Sequence, residues 1–217
     1  MHKEAETPQV IRDTAGRWPM DTRPMRADAR RNYERLIATA RTAFMEHGTD
    51  ASLDDIAKRA GVGSGTLYRH FPTRDSLLHA VLHDRIEGLL AHADELLSEP
   101  EQDPESEARG ADAALGRWLR TYLAGAMTPR GTSTVIIQAM SAEWAGTGLG
   151  AAATSIRDAL GLLLERAQRA GSIRADIDPG DLLRLTNAIG VASERTPDPA
   201  AYADRMLALL FDGLRTR

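Results

Sequence analysis

Three residues on one predicted helix have types and a spacing that suit a metal ion. His79, His83 and Glu87 stand at i, i+4 and i+8, so a single helix face presents two imidazoles and a carboxylate. In a helical enzyme that uses these histidines, we would expect a bound metal ion and loss of activity in His79→Ala. The same spacing is more typical of a solvated or interdomain face. We therefore expect no resident metal and no cofactor.

A glycine-rich segment, Gly146-Thr147-Gly148-Leu149-Gly150, has part of the spacing of a phosphate-binding loop. No predicted strand precedes it, and Ala151 stands where the nucleotide-binding pattern requires its last glycine. We expect a flexible loop instead, within a Gly/Ala-rich break at 146–153. The chain has no cysteine, which excludes disulfides, cysteine–zinc sites and thiol nucleophiles. With no catalytic triad or carboxylate pair standing out, we expect a protein that is not an enzyme.

The most informative stretch is residues 53–71, LDDIAKRAGVGSGTLYRHF. Two helices that meet near a right angle need a positive φ in the turn, which Gly61 adopts at little cost, and a small residue at the crossing, such as Ala57. The remaining interhelical contacts are expected from four apolar positions, Ile56, Ala60, Val62 and Leu67. This combination predicts a helix-turn-helix, an element that reads DNA, with an ordinary helical hairpin as the alternative.

The charge of the chain is distributed unevenly along its length. The net charge is −4, yet residues 23–74 contain ten Lys or Arg against six Asp or Glu, whereas residues 75–217 contain fourteen against twenty-one. A basic N-terminal third suits a polyanion such as DNA. The acidic remainder predicts a second domain with a different partner.

The segment 31–82 resembles the DNA-binding domain of the tetracycline-repressor (TetR) family. The pattern T-L-Y-x-H-F-x-[ST]-[KR]-[DE] is matched at Thr66, Leu67, Tyr68, His70, Phe71, Thr73, Arg74 and Asp75. The segment GSIRADIDPGDLLRLTNAI resembles the SbtR-like C-terminal domain. The resemblance implies an all-helical homodimer, usually a repressor, which leaves DNA when a small molecule binds its C-terminal domain. Gly63 departs from the family, where serine often caps the recognition helix, and we expect Ser64 to cap instead.

The predicted DNA contacts follow from placing the N-terminal end of the recognition helix in the major groove. They are Arg31, Ser52, Ser64, Gly65, Thr66, Tyr68, Arg69, His70, Thr73 and Arg74. Arg69 is predicted to bind a guanine or a phosphate. Tyr68 and His70 resemble family residues that touch the DNA backbone, with packing against the first helix as the alternative.

Two further groups are predicted to contact the DNA backbone. Ser52, and Thr73 with Arg74, stand at helix N-termini, whose amide groups and positive dipole suit a phosphate. Three arginines before and within the first helix are predicted to reach the backbone or minor groove, or else to be solvated. They are Arg26, Arg30 and Arg31.

The elements that must position these residues are predicted to be helices throughout. Alanine is abundant, aromatic residues make up 5% of the chain, and no segment alternates with the period of a strand. We expect an all-α fold with a flexible tail at 1–25, a three-helix helix-turn-helix DNA-binding domain at 26–74, and a helical bundle for effector binding and dimerisation at 75–217. Residues 99–107 are expected to be an exposed loop. Two Asp-Pro pairs, at 178–179 and 198–199, are each expected to start a helix with an aspartate cap and proline at the first helical position. No apolar run is long enough to span a bilayer, and the first residues lack the apolar stretch of a secretory signal, so we expect a cytoplasmic protein without a membrane partner.

The C-terminal domain has no motif of its own, so its sites are predicted from residue type. Large or polarisable side chains on the middle helices are predicted to line a ligand pocket, with ordinary core as the alternative. They are Trp118, Tyr122, Met127, Gln138, Met140 and Trp144. Two later helices carry apolar stripes that are predicted to pair with a second copy. The stripe residues are Ile156, Leu160, Leu163, Leu164, Leu182, Leu185 and Ile189.

The sequence thus predicts a homodimeric regulator that binds a pseudo-palindromic double-stranded DNA operator and responds to an unidentified small-molecule effector, most often as a repressor. One alternative is a helix-turn-helix protein that binds DNA without an effector and has a packed C-terminal core. The other is the helical metal-dependent enzyme described above.

Overall fold

The computed structural model describes residues 27–99, 104–126 and 147–216. Within these ranges the regular elements are helices, and one isolated antiparallel bridge joins Ile173 to Arg215. The predicted all-α fold is confirmed for this part of the chain. The helices are α1 (Ala27–His47), a 3-10 turn (Gly48–Asp50), α2 (Leu53–Arg59), α3 (Ser64–His70), α4 (Arg74–Leu97), α5 (Pro104–Ala126), α6 (Gly148–Arg169), α7 (Pro179–Ser193) and α8 (Pro199–Leu214).

Two predicted loops are shorter than expected. The acidic loop ends before Pro104, which begins α5, because proline is well tolerated in the first turn of a helix, where amide groups lack intrahelical partners. The glycine-rich segment is also helical from Gly148, since the Thr147 hydroxyl accepts a hydrogen bond from the Gly150 amide and caps α6. The flexible-loop prediction is therefore wrong for residues 148–153.

The first three helices pack against one another, and their buried residues form one end of a hydrophobic core that continues into the rest of the chain. Gly61 has a φ of +67°, which allows the tight turn between α2 and α3. Ile56 and Leu67 are fully buried and Ala57 is 1% exposed, as the helix-turn-helix pattern predicts. An ion pair of 2.8 Å between Arg59 and Glu46 joins α2 to the end of α1. This packing fixes the position of α3 within the domain.

The long helix α4 connects this core to the C-terminal bundle. It packs against α1 near its start and against α5 and α6 along its length. At its far end the Arg166 guanidinium of α6 donates to the Leu96 carbonyl at 2.8 Å, where the last carbonyls of a helix lack intrahelical partners. This hydrogen bond joins the end of α4 to α6.

The last two helices begin at the predicted Asp-Pro pairs. The Asp178 carboxylate accepts from the Gly180 amide, and the Asp198 carboxylate accepts from the Ala201 amide at 3.1 Å. Each helix thus gains a side-chain cap followed by proline at its first position. Among the described helices, none combines the length and apolar character that a bilayer crossing requires.

Candidate nucleic-acid interface

The recognition helix α3 lies on the surface and is held by one buried residue. Leu67 is fully buried in the domain core. The other predicted contact residues of α3 share the outer side, with Ser64, Gly65, Tyr68 and Arg69 exposed and Thr66 and His70 half-buried. Of the six predicted contact residues on α3, four are therefore accessible and two are partly covered.

The N-terminus of α3 differs from the prediction. Gly63, with φ −71° and ψ 147°, occupies the N-cap position, and no side chain caps the helix there. Ser64 is the first residue of the helix itself. The prediction that Ser64 caps α3 is wrong, because the capping residue must have non-helical backbone angles.

The Arg69 side chain lies back along α3 toward its N-terminal end. Its Nε donates to the Gly65 carbonyl at 3.0 Å, and its Nη2 donates to the Thr66 hydroxyl at 3.2 Å. The guanidinium is thus held beside the residues predicted to face base edges. Because these bonds are exposed, exchanging them for a guanine or a phosphate costs little.

Tyr68 and His70, near the end of α3, have different surroundings. The His70 ring lies 6.0 Å from the Tyr33 ring, edge to face, and the Phe71 ring lies 5.2 Å from Tyr33. Burial, followed by the nearby Asp84 carboxylate, raises the pKa of Tyr33. His70 thus packs against α1, which was the alternative to a contact with the DNA backbone. Tyr68 is 45% exposed.

The junction between α3 and α4 is capped on both sides. The Thr73 hydroxyl accepts from the Ser76 amide at 3.1 Å, and the Ser76 hydroxyl oxygen accepts from the Thr73 amide at 3.2 Å. The Arg74 guanidinium donates to the Ala51 carbonyl at 2.5 Å. Arg74, which is predicted to contact a phosphate, therefore joins the start of α4 to the segment that precedes α2.

Ser52 and the arginines of α1 are placed at the edges of this surface. Ser52 caps α2 by accepting from the Asp55 amide at 3.3 Å. Arg30 and Arg31 are exposed on α1 and pair with Glu34 and Asp28 respectively. Arg26, predicted to contact DNA, lies outside the described residues. The two arginines keep their charge available to a phosphate, since exposed pairs of this kind are weak.

A carboxylate joins the start of α4 to the start of α6. The Asp75 oxygens accept from the Gly148 amide at 3.2 Å and from the Leu149 amide at 3.3 Å. A negative charge at a helix N-terminus is favourable because it satisfies free amides and complements the dipole. Asp75 matched the family pattern, but this contact between distant segments was not foreseeable from spacing.

The histidines of α4 lie beside the same junction. The His79 and His83 rings are 6.1 Å apart, and burial, then the charge of His83, lowers the pKa of His79. Within the described ranges no three His, Asp or Glu side chains are grouped closely enough to hold one metal ion. His79 lies beside the start of α6, since a Cβ atom added at Gly148 would be 3.5 Å from its ring.

Two of the six predicted ligand-pocket residues lie in the described part of the bundle. Trp118 and Tyr122 are stacked with ring centroids 5.7 Å apart and are at most 1% exposed. The Trp118 indole donates to the Leu89 carbonyl at 3.1 Å, and the Tyr122 hydroxyl donates to the Asn187 oxygen at 2.6 Å. Met127, Gln138, Met140 and Trp144 lie outside the described residues. The role of all six residues in a ligand pocket stays a prediction.

A cation that the sequence analysis missed lies next to Tyr122. Arg85 of α4 donates to the Tyr122 carbonyl at 3.4 Å, and burial lowers the pKa of its guanidinium to about 10. Burial also raises the pKa of Tyr122 to about 12. The signal was present in the sequence, because Arg85 follows Leu78 by seven residues and Leu82 by three, and so interrupts the apolar stripe of α4.

An open groove of about 310 Å³ lies on another side of the bundle, between α5 and α8. Its walls include Gly116, Arg120 and Phe211, and ion pairs between Arg215 and both Asp112 and Asp212 close one end. It is separate from the predicted pocket beside α4.

The predicted dimer stripe needs correction. Five of its residues lie in the core of the protomer, where at most 6% of each is exposed, and so have no surface left for a partner. They are Ile156, Leu160, Leu163, Leu164 and Leu182. Their stripe packs against α4, α5 and neighbouring helices of the same chain. Leu185 is 49% exposed, Ile189 is half-buried, and Leu209 on α8 is 63% exposed, so the role of Leu185 and Ile189 in a dimer stays a prediction.

Comparison with known proteins agrees with this architecture. A family model described as bacterial regulatory proteins, tetR family, matches residues 36–81, and one described as transcriptional regulator SbtR-like, C-terminal domain, matches residues 110–216. An HTH-type transcriptional regulator of Staphylococcus aureus strain MRSA252 is 36% identical over 85 residues, which are 38% of this chain and 44% of that protein. The chain thus spans less than half the length of this curated relative.

Solved structures match over a longer range. The TetR transcriptional regulator SCO0520 from Streptomyces coelicolor is 36% identical, with a TM-score of 0.54, over 84% of this chain and 98% of that one. FadR from Bacillus subtilis, 18% identical with a TM-score of 0.61 over 84% of this chain and 99% of its own, shares the fold. With both family models matched and one relative aligned over nearly its whole length, the chain belongs to the TetR family of bacterial regulatory proteins.

Proposed function

We propose that this protein is a homodimeric transcriptional repressor that binds a pseudo-palindromic DNA operator and releases it when a small molecule binds the C-terminal bundle. The observation that carries the proposal is α3. One buried leucine anchors this helix, and the rest of it presents Ser64, Tyr68 and Arg69 to solvent beside a basic α1. A helix held rigidly with its polar side outward is the arrangement that major-groove readout requires.

Sequence readout is assigned to α3 and non-specific affinity to its surroundings. Arg69 is the proposed base contact, since a guanidinium fork matches the acceptors of guanine. Arg31, Ser52, Thr73 and Arg74 are the proposed backbone contacts. Because each neutralised phosphate releases counterions, operator affinity falls steeply as salt is raised. A role on the chromosome places the protein in the bacterial cytoplasm.

The test begins with a DNA sequence selected from a random duplex library by the purified protein. Fluorescence anisotropy then compares this duplex with a scrambled one. Arg69→Ala should lose about 1–3 kcal/mol at one operator position, whereas the control Arg157→Ala, an exposed arginine on α6, should bind as wild type. Equal affinity of the wild type for both duplexes would overturn the proposal. Equal losses of Arg69→Ala on both would reassign Arg69 to a phosphate.

The effector response is supported by the continuity of α4. Its first turn meets the DNA-binding domain through Arg74 and meets α6 through Asp75, while its later turns contact Trp118 and Arg166. A ligand that shifts α6 or α5 therefore acts on α4, the helix that contacts the DNA-binding domain. A ligand releases DNA only if it binds the DNA-incompetent conformation more tightly, and coupling is typically about 1–3 kcal/mol.

The alternative of a DNA-binding protein without an effector makes a distinct prediction. In that case no small molecule changes operator affinity, and the bundle serves dimerisation alone. Anisotropy of the selected complex, titrated with compounds that raise the melting temperature of the protein, separates the two. An effector should weaken operator binding about 5–150-fold.

A further inference from the structure

Arg85 lies on the side of α4 that is otherwise used for packing. It precedes the buried Leu89 by four residues and follows the buried Leu82 by three, so the three share one face of the helix. Arg85 itself is half-buried, and a positive charge in such a position is costly because part of it is removed from water.

The guanidinium has few partners for its capacity. It has five N–H donors, yet across residues 27–99, 104–126 and 147–216 its interaction is one long hydrogen bond of 3.4 Å to the Tyr122 carbonyl. No carboxylate of these residues forms an ion pair with it. With a pKa of about 10 the group remains charged at neutral pH despite its burial. A charged fork is thus held ready with most of its donors unused.

The last turn of α5 is shaped around this group. A Cβ atom added at Gly125 would lie 2.6 Å from the Arg85 Nε and 2.9 Å from its Cζ, closer than any side chain tolerates. The absence of a side chain at Gly125 therefore leaves the space that the Arg85 guanidinium occupies.

Other polar and aromatic groups lie on the same stretch of α5. The Tyr122 hydroxyl reaches Asn187 of α7, and the stacked Trp118 and Tyr122 rings lie along the same stretch of α5. An apolar interior with a few fixed polar groups is typical of a small-molecule site. Of these groups, Arg85 alone has a charge, and it selects the opposite one.

We propose that Arg85 binds the carboxylate of an acidic effector, so that the small molecule controlling this regulator is an organic acid with an apolar body. A planar guanidinium forms two parallel hydrogen bonds to a carboxylate, which supplies both affinity and orientation. Because Arg85 belongs to α4, the bound acid engages the helix that carries the recognition domain. The inference rests on the proposed effector-controlled function and specifies the chemistry of its ligand.

The test uses the full-length protein and matched probes. Thermal-shift and calorimetric titrations compare monocarboxylates, from benzoate and phenylacetate to octanoate, each with its uncharged primary amide. At least one acid should bind and its amide should bind far more weakly. For that acid, Arg85→Met should raise the Kd roughly 10- to 100-fold, the worth of a hydrogen bond to a charged group. The control Arg157→Met should leave the Kd unchanged.

A second variant removes the guanidinium from its place without removing its charge. Gly125→Ala favours the helix, so it should preserve folding while displacing Arg85, and acid binding should fall as in Arg85→Met. Acids that bind no better than their amides, or variants that bind the acid as wild type does, would overturn the inference. Operator affinity measured on the same samples keeps the outcomes separate, because specific DNA binding that survives such a result leaves the proposed function standing.

Discussion

The helix-turn-helix region and the C-terminal bundle are both built from amphipathic helices, but their sequences constrain them differently. In the first region a positive φ at Gly61 and a close crossing at Ala57 leave little choice of packing, and Leu67 faces inward as expected. In the second, the apolar stripe around Leu160 was expected to face a partner and instead packs inside the protomer. Positions where few residue types fit sterically specify the geometry of a helix pair. Hydrophobic periodicity specifies only that a helix face is buried.

The largest effect should come from Leu185 and Leu209, exposed leucines of α7 and α8 that we propose as part of the dimer surface. Leu185 and Leu209 are 49% and 63% exposed, so Leu185→Asp with Leu209→Asp should leave each protomer folded but separate the dimer. Losing the second recognition helix removes the gain of bivalent binding, about 10²–10⁴-fold in operator affinity. Light scattering and anisotropy measure the two effects.

The contrast variant is Leu160→Asp, which places a charge at a fully buried position and should unfold the protein. A double variant that remains dimeric would show that another surface forms the interface. A folded, monomeric Leu160→Asp protein would restore the original stripe.

The anchor of the recognition helix should show the next largest effect. Leu67→Ala removes a fully buried side chain and should lower the free energy of unfolding by about 2–5 kcal/mol, with loss of operator binding. Leu162→Ala, at a position 54% exposed in the bundle, should change it by less than about 0.5 kcal/mol. Urea denaturation followed by circular dichroism measures both. Similar losses in the two variants would contradict the packing described for α3.

The contact between the two regions should have an intermediate effect. Asp75→Ala leaves the Gly148 and Leu149 amides without their acceptor and should lower the free energy of unfolding by about 0.5–2 kcal/mol, the usual range for a helix cap. Asp158→Ala, an exposed acid on α6, is the matched control. Hydrogen exchange at the start of α6 should accelerate in the first variant alone. Unchanged exchange would mean that Asp75 does not hold this junction.

The smallest expected effect is a pH dependence from His79. Burial, then the charge of His83, lowers its pKa, while Asp75 and Glu87 act in the opposite direction. The folded state therefore binds fewer protons than the unfolded state, and stability declines as pH falls through the ordinary histidine value of about 6.5. His79→Gln should reduce the change in denaturation midpoint between pH 7.5 and pH values below about 6.5. A variant with the wild-type pH slope would exclude His79 as its source.

The parts of this protein that the sequence predicts are those where one residue type is required. Gly61 and the Asp-Pro starts of α7 and α8 were identified because few residues satisfy their backbone geometry or free amides. The family pattern supplied the surface of α3. The first turn of α6 was missed because glycine suggests a loop, although the Thr147 cap and the distant Asp75 stabilise a helix there.

The contacts of the bundle were not predictable from the sequence, because they depend on how the helices are arranged in space. Nothing in the spacing of Tyr122 and Asn187 brings them to 2.6 Å, and nothing near Gly125 indicates Arg85. A charge within an apolar stripe was the available signal for Arg85. Its partner was determined only by the packing of α5 on α4.

The central claim, that paired α3 helices read DNA in the major groove, is tested most directly by methylation interference on the selected duplex. Dimethyl sulfate modifies guanine N7, an acceptor exposed in the major groove. We expect methylation to block binding at two symmetric clusters whose centres are about one duplex turn apart, roughly 34–36 Å, or a multiple of it. Arg69→Ala should abolish interference at one guanine in each cluster if that guanine is its contact. Binding that is insensitive to methylation, or blocked at one cluster alone, would contradict the account.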